Sequence, residues 1–131
     1  WFVYSWQRYA LEPEMRRLLA FVLALNTSYT IAHTLPDVNT FSQQQIFENW
    51  VQNRCIGKIA DSATLKNDAK ASAAAWLEVS NLPAENFEKA DEVINSLLKQ
   101  KLGGTAPANY EVLKCSLISH SDAIRQLNVQ K

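Results

Sequence analysis

Between Phe47 and Leu127 the apolar residues recur at helical spacing, and no segment sustains the apolar–polar alternation of a half-buried strand. That pattern restricts the chain to helix-on-helix packing, and a small all-α bundle of four to five helices is expected. Phe47, Trp50, Val51, Cys55 and Ile59 form the apolar stripe of the first helix, with Cys55 turned to the core. Thr40 with Gln43, or Ser42 with Gln45, can open it as a capping box. A second helix is expected within residues 62–80, where the run Ala69 to Ala75 has high helix propensity. Its stripe is Leu65, Ala69, Ala73, Trp76 and Leu77. Asn81-Leu82-Pro83 ends it, and Pro83 suits the first turn of the next helix. That third helix is marked by Phe87, Ala90, Ile94, Leu97 and Leu98 and is stopped by Gly103-Gly104. Residues 103–109 form the clearest loop. A fourth helix carries Leu113, Leu117 and His120, with Cys115 on it, and Ser121 can cap a short final turn through Ile124 and Leu127.

The N-terminal part reads differently. Met15-Arg16-Arg17 precedes the apolar run Leu18 to Leu25 and the polar Asn26-Thr27-Ser28, which is the layout of a secretory signal peptide over residues 15–32. Thr30 and Ala32 are small residues two apart, so cleavage is expected after Ala32, and the mature domain is residues 33–131, starting at His33. The apolar run is far shorter than the roughly 20 residues a membrane-spanning helix needs. No Cys lies near the cleavage point to accept a lipid. The single Met of the chain stands where such a signal would begin, so residues 1–14 (Trp1 to Glu14) read as upstream sequence or a mis-called start. The competing reading is an amphipathic helix over residues 1–32 that folds with the rest.

Charge and cysteine content narrow the function. The chain has 13 basic and 13 acidic residues. Removing Arg8, Arg16 and Arg17 along with Glu12 and Glu14 leaves the mature domain near neutral, which argues against nucleic-acid binding or an anionic-membrane grip. A domain of this length benefits from a staple. Both cysteines, Cys55 and Cys115, lie in the mature part, and export would place them in an oxidising compartment. A bridge between them would close a loop of roughly 60 residues, worth about 4 kcal/mol by chain entropy. Two buried free thiols in a cytosolic protein are the alternative.

Catalytic chemistry is hard to assemble from these residues. The three glycines, Gly57, Gly103 and Gly104, make neither a phosphate-cradling loop nor a dinucleotide fingerprint. There is no Gly-x-Ser-x-Gly elbow. Cys115 and His120 would sit about 140° apart round a shared helix, which does not aim them at each other. Two Cys and one His lack a fourth zinc ligand. His120 suits a helix terminus, bonding a last-turn carbonyl. Glu85, Glu88, Asp91 and Glu92 read as charges favoured near the start of the third helix, on a solvated face. No catalytic residue, cofactor or metal is therefore expected.

Two stretches carry a family resemblance. Phe47-Glu48-Asn49-Trp50-Val51-Gln52-Asn53-Arg54-Cys55-Ile56 resembles the first Cys motif of the type VI secretion amidase immunity protein family. Tyr110-Glu111-Val112-Leu113-Lys114-Cys115, followed by Ser119-His120-Ser121 and Leu127, resembles the second, and the similarity spans about residues 41–128. It implies a small, exported, all-helical periplasmic protein of a Gram-negative bacterium, often a homodimer. Its partner would be a delivered peptidoglycan amidase, a papain-like Cys–His enzyme of the NlpC/P60 kind, whose cleft it plugs with a loop and helix surface. Carried onto this chain, the resemblance makes Cys55–Cys115 the structural bridge. It makes Leu102, Gly103, Gly104, Thr105, Ala106, Pro107, Ala108 and Asn109 the partner-binding segment, with the third helix as the other source of contact. For Gly103-Gly104, a helix stop without a binding role is the simpler alternative. Two other classes remain open: an exported helical inhibitor of another cell-wall hydrolase, and a small-ligand carrier with Trp50, Trp76, Phe47 and Phe87 lining a cavity.

Overall fold

Ser42 shows why the first helix starts where it does. Its hydroxyl accepts the Gln45 amide N–H while the Gln45 side chain accepts the Ser42 N–H, so the capping box is Ser42 with Gln45. Thr40 is used otherwise: it ends a short 3-10 turn, Val38–Thr40, and its hydroxyl donates to the Asp37 carbonyl. The computed structural model describes residues 33–128, which form this turn and five α-helices. These are α1 (Gln43–Ile59), α2 (Ala63–Glu78), α3 (Ala84–Leu98), α4 (Glu111–Ser119) and α5 (Asp122–Leu127), with no strand among the described residues. The expected signal peptide, its cleavage point and residues 1–14 lie outside them.

The all-helical bundle expected from the spacing is what residues 33–128 adopt, and α1 is its hub, packing on α2, α4 and α3. Its buried face comprises Ile46, Phe47, Trp50, Val51 and Cys55. Phe47, Trp50 and Phe87 pack ring against ring, with centroids 4.8 Å apart for Trp50–Phe87 and 5.4 Å for Phe47–Phe87. Ile94, Ile118 and Ile124 complete the core around them. These aromatics fill space against one another, as core residues do.

The α1–α2 contact uses small residues. Only Ala69 and Ala73 of α2 are buried, one turn apart, and Gly57 of α1 faces Ala69. Leu65 and Leu77, expected in the apolar stripe, are exposed instead. The close approach of the two helices leaves room for methyl groups on the contact line and sets the leucines to its sides. Trp76 packs edge-on against Phe41 at 5.1 Å, on the margin of the core.

Two boundaries also differ from expectation. Pro83 is the N-cap of α3, in extended conformation, and its carbonyl accepts the Asn86 N–H. The α3 helix ends at Leu98, before Gly103-Gly104 is reached, because the Lys99 and Gln100 amides turn back onto Ser96 and Leu97. These bonds tighten the last turn and satisfy its carbonyls without a glycine.

The Cys55–Cys115 disulfide joins α1 to α4, and both cysteines are fully buried. With Cys115 facing in, the buried residues of α4 are Lys114, Cys115, Ile118 and Ser119. Leu113 and Leu117, which mark this helix in the sequence, lie about 200° round it from Cys115 and are exposed. The helix register is thus set by the disulfide, and the leucines take the other side.

Ion pairs tie α1 to α3. Arg54 donates two hydrogen bonds of 2.9 Å to the two carboxylate oxygens of Asp91, and Lys58 lies 3.4 Å from the same group. Asp91 therefore belongs to an inter-helix clamp, not to the solvated face expected for it. The Arg54 hydrogen bonds hold the Asp91 carboxyl below the ordinary value of 3.8, and the Asp91 partner raises the Arg54 guanidinium.

Two outcomes are expected. Replacing both cysteines by alanine, over a sequence separation of 60, should lower unfolding free energy in urea by about 4 kcal/mol. A depressed folded-state pKa means that Asp91 stabilises the fold above the unfolded aspartate pKa. That contribution disappears as pH falls through the lower folded value. Asp91→Asn should cost about 1 kcal/mol at neutral pH, and should flatten the loss of stability measured as pH falls from 5 to about 2.

Candidate inhibitory loop and its apolar flank

The connection from α3 to α4 is the longest among the described residues, and both its ends are fastened. Lys114 is buried, and its ammonium donates to the Leu98 carbonyl at 3.2 Å and to Glu111 at 3.2 Å. It thus closes the last turn of α3 from the first turn of α4. The next residue, Cys115, is bonded to α1. Leu102 is half-buried at the loop base, while Gly103 to Asn109 are all exposed.

The exposed span has its own order. The Ala108 N–H donates to the Ala106 carbonyl at 2.9 Å, making a three-residue turn around Pro107, whose ring restricts φ. The Ala106 N–H donates to the Tyr110 hydroxyl at 2.9 Å. Tyr110 is the one non-glycine residue with positive φ among the described residues, at 55°, and it begins α4. The expected partner-binding residues 102–109 are therefore contiguous in space, with Leu102 as the anchor and Gly103 to Asn109 as the projecting part.

Beside the loop lies an apolar groove of about 180 Å³, lined by Leu97, Leu102, Leu117 and Ile118 with Gln100, Lys114 and Ser121. Leu113 (46% exposed) and Leu117 (53%) stand one turn apart on the outer face of α4, and Val112 (65%) is exposed at its start. Adjacent large apolar residues held in water make this face a candidate interaction surface. Hydrophobic spacing alone left open which face of α4 these leucines occupy. The signal that could have placed them correctly is Cys115: once it is taken as buried, Leu113 and Leu117 have to face away.

The remaining candidates sit apart from this surface. His120 ends α4, its backbone N–H bonded to last-turn carbonyls, while its ring Nδ1 lies 3.4 Å from Glu48 of α1. The ring was expected to bond a carbonyl, but α1 passes close enough to supply a carboxylate. Cys115 has no free thiol, so the Cys115–His120 nucleophilic pair does not exist. Glu85 pairs with Lys89 across one exposed turn of α3. Among the described residues no group of three or more His, Cys, Asp or Glu could hold a metal ion. None of their helices is long and apolar enough to cross a membrane.

Comparison with known proteins agrees with the resemblance. Residues 45–128 match the model of the type VI secretion system amidase immunity protein family. No curated protein matches the chain. Among solved structures, the chain resembles one in the type VI effector–immunity complex Tae4–Tai4 from Enterobacter cloacae, with 78% identity and a TM-score of 0.73, covering 75% of this chain and 100% of that one. It resembles to the same degree a chain in the complex of the effector Tae4 from Salmonella typhimurium with the immunity Tai4 from Enterobacter cloacae, covering 74% and 100%. A chain of the Salmonella typhimurium Tae4/Tai4 system shares the fold at 24% identity and a TM-score of 0.66, covering 74% and 97%. The family model takes in the α1 and α4 motifs, both cysteines and the loop between α3 and α4. The chain belongs to the type VI secretion system amidase immunity protein family.

Proposed function

We propose that the chain is a periplasmic, non-catalytic inhibitor that binds a type VI-delivered peptidoglycan amidase and occludes its substrate cleft. The observation that carries this reading is the 78% identity, over 75% of this chain and the whole of the other, to a chain within a Tae4–Tai4 effector–immunity complex. The segment proposed to enter the cleft is Leu102 to Asn109. A plug has to present an ordered chain, since every bond rotation frozen on binding weakens affinity. This segment projects from a base fastened by Lys114 and by the disulfide.

The target is taken to be a papain-like Cys–His enzyme of the NlpC/P60 kind, and the inhibitor a homodimer. Export through residues 15–32, with cleavage after Ala32, would deliver the domain to the compartment where its disulfide forms. The outer face of α4, with Leu113 and Leu117, is assigned to the rim of the amidase cleft, because it continues from the base of the loop. Burial of two leucines at such a rim is worth more than their exposure in the free protein.

The test is a titration of the Enterobacter cloacae Tae4 amidase on purified peptidoglycan with the protein purified from the periplasm. Cleavage should fall to zero near one protomer per enzyme, and the purified protein should begin at His33. Undiminished cleavage without co-elution would instead favour another cell-wall hydrolase as target. Leu113→Asp with Leu117→Asp should weaken inhibition at least about tenfold while leaving stability within about 0.5 kcal/mol, as outward positions allow. Should the double variant dissociate a homodimer and still inhibit fully, that face belongs to the second copy.

A further inference from the structure

Tyr110 occupies a backbone conformation that side chains avoid, at a place where helices normally use another device. With φ 55° and ψ 33° it lies in the left-handed region, which residues other than Gly, Asn and Asp rarely enter. A helix N-cap is ordinarily extended and offers a side-chain oxygen to the first free amides. Tyr110 does neither, and makes no side-chain cap bond. The left-handed step turns its ring back over the preceding loop. There the hydroxyl accepts the Ala106 N–H at 2.9 Å. The ring lies so close to Gly104 that a β-carbon at that position would overlap its edge and hydroxyl. Gly104 has no positive φ, so its use is the space it leaves, and that space is occupied by the tyrosine. Residues 104–110 thus form a closed loop, with the Pro107 turn at one end and the tyrosine ring across the base.

We propose that Tyr110 is the positioning residue of the inhibitory segment: its ring, seated on Gly104 and bonded to Ala106, latches residues 104–110 in the shape that enters the amidase cleft, and so sets the affinity. This rests on the assignment of Leu102 to Asn109 to the cleft. The strained backbone step and the ring contacts support each other, so losing the contacts also removes the reason for the left-handed conformation. The open loop then samples many shapes. The apparent dissociation constant rises in inverse proportion to the fraction still closed.

The experiment compares Tyr110→Phe, which removes only the hydroxyl, with Gly104→Ala, whose methyl displaces the ring. Amide hydrogen exchange is read at residues 103–109 of the free protein, and inhibition is read on the Enterobacter cloacae Tae4 amidase. Tyr110→Phe should speed exchange of the Ala106 amide and weaken inhibition about threefold to tenfold, the worth of one hydrogen bond. Gly104→Ala should act in the same direction and more strongly, with the thermal midpoint of both proteins close to that of the parent. Unchanged Ala106 exchange in both variants overturns the latch. Faster exchange with unaltered inhibition overturns its role in affinity. Thr105→Arg tests the cleft assignment by itself, since it adds bulk at the exposed tip and leaves Tyr110 and Gly104 intact. Inhibition lost there but retained in Tyr110→Phe and Gly104→Ala overturns the latch alone.

Discussion

The bond between Cys55 and Cys115 fixes how α4 is rotated about its own axis, and much of the surrounding surface follows from that rotation. With Cys115 fully buried, Ile118 and Ser119 follow it inward, and Lys114 comes to lie against the end of α3. Leu113 and Leu117 are left in water. A different rotation would bury the leucines, but would carry Cys115 away from α1 and Lys114 away from the Leu98 carbonyl. One covalent link therefore decides both the core contact of α4 and the apolar flank beside the loop.

The loop between α3 and α4 shows how a surface segment can be ordered without a core of its own. Flexible connections lose conformational entropy when their shape is specified. Here the loss is limited by fastening at several points: Lys114 on the α3 terminus, Leu102 in the groove, Pro107 in a tight turn, and the Tyr110 ring on Gly104. These contacts are mostly local in sequence, so each fixes only a few residues. The result is a projecting segment on a rigid base, which suits the proposed role of filling an enzyme cleft.

The opposite side of the bundle is built by other means. Ala69 and Ala73 allow α2 close to α1, and the aromatic cluster of Phe47, Trp50 and Phe87 fills the junction with α3. Arg54, Lys58 and Asp91 then close the α1–α3 seam from the edge. This clamp is partly exposed, so its worth is modest compared with the disulfide and the aromatic burial.

Helix content, the positions of the five helices and the burial of Phe47, Trp50, Phe87 and Ile94 were legible from periodicity, because these follow from which residues can share one face of a helix. The motifs around Cys55 and Cys115 also made the family recognisable. Spacing could not say which of two possible faces α4 buries, since Leu113 and Leu117 are as apolar as Ile118 and differ only in direction. Nor could it reveal that Asp91 serves Arg54, or that Tyr110 adopts a left-handed step to reach Gly104 and Ala106. By itself the sequence determined what each helix is, through local propensity and period. Only the tertiary structure decided how α2 and α4 are turned, because their rotation depends on covalent and packing partners far away in the chain.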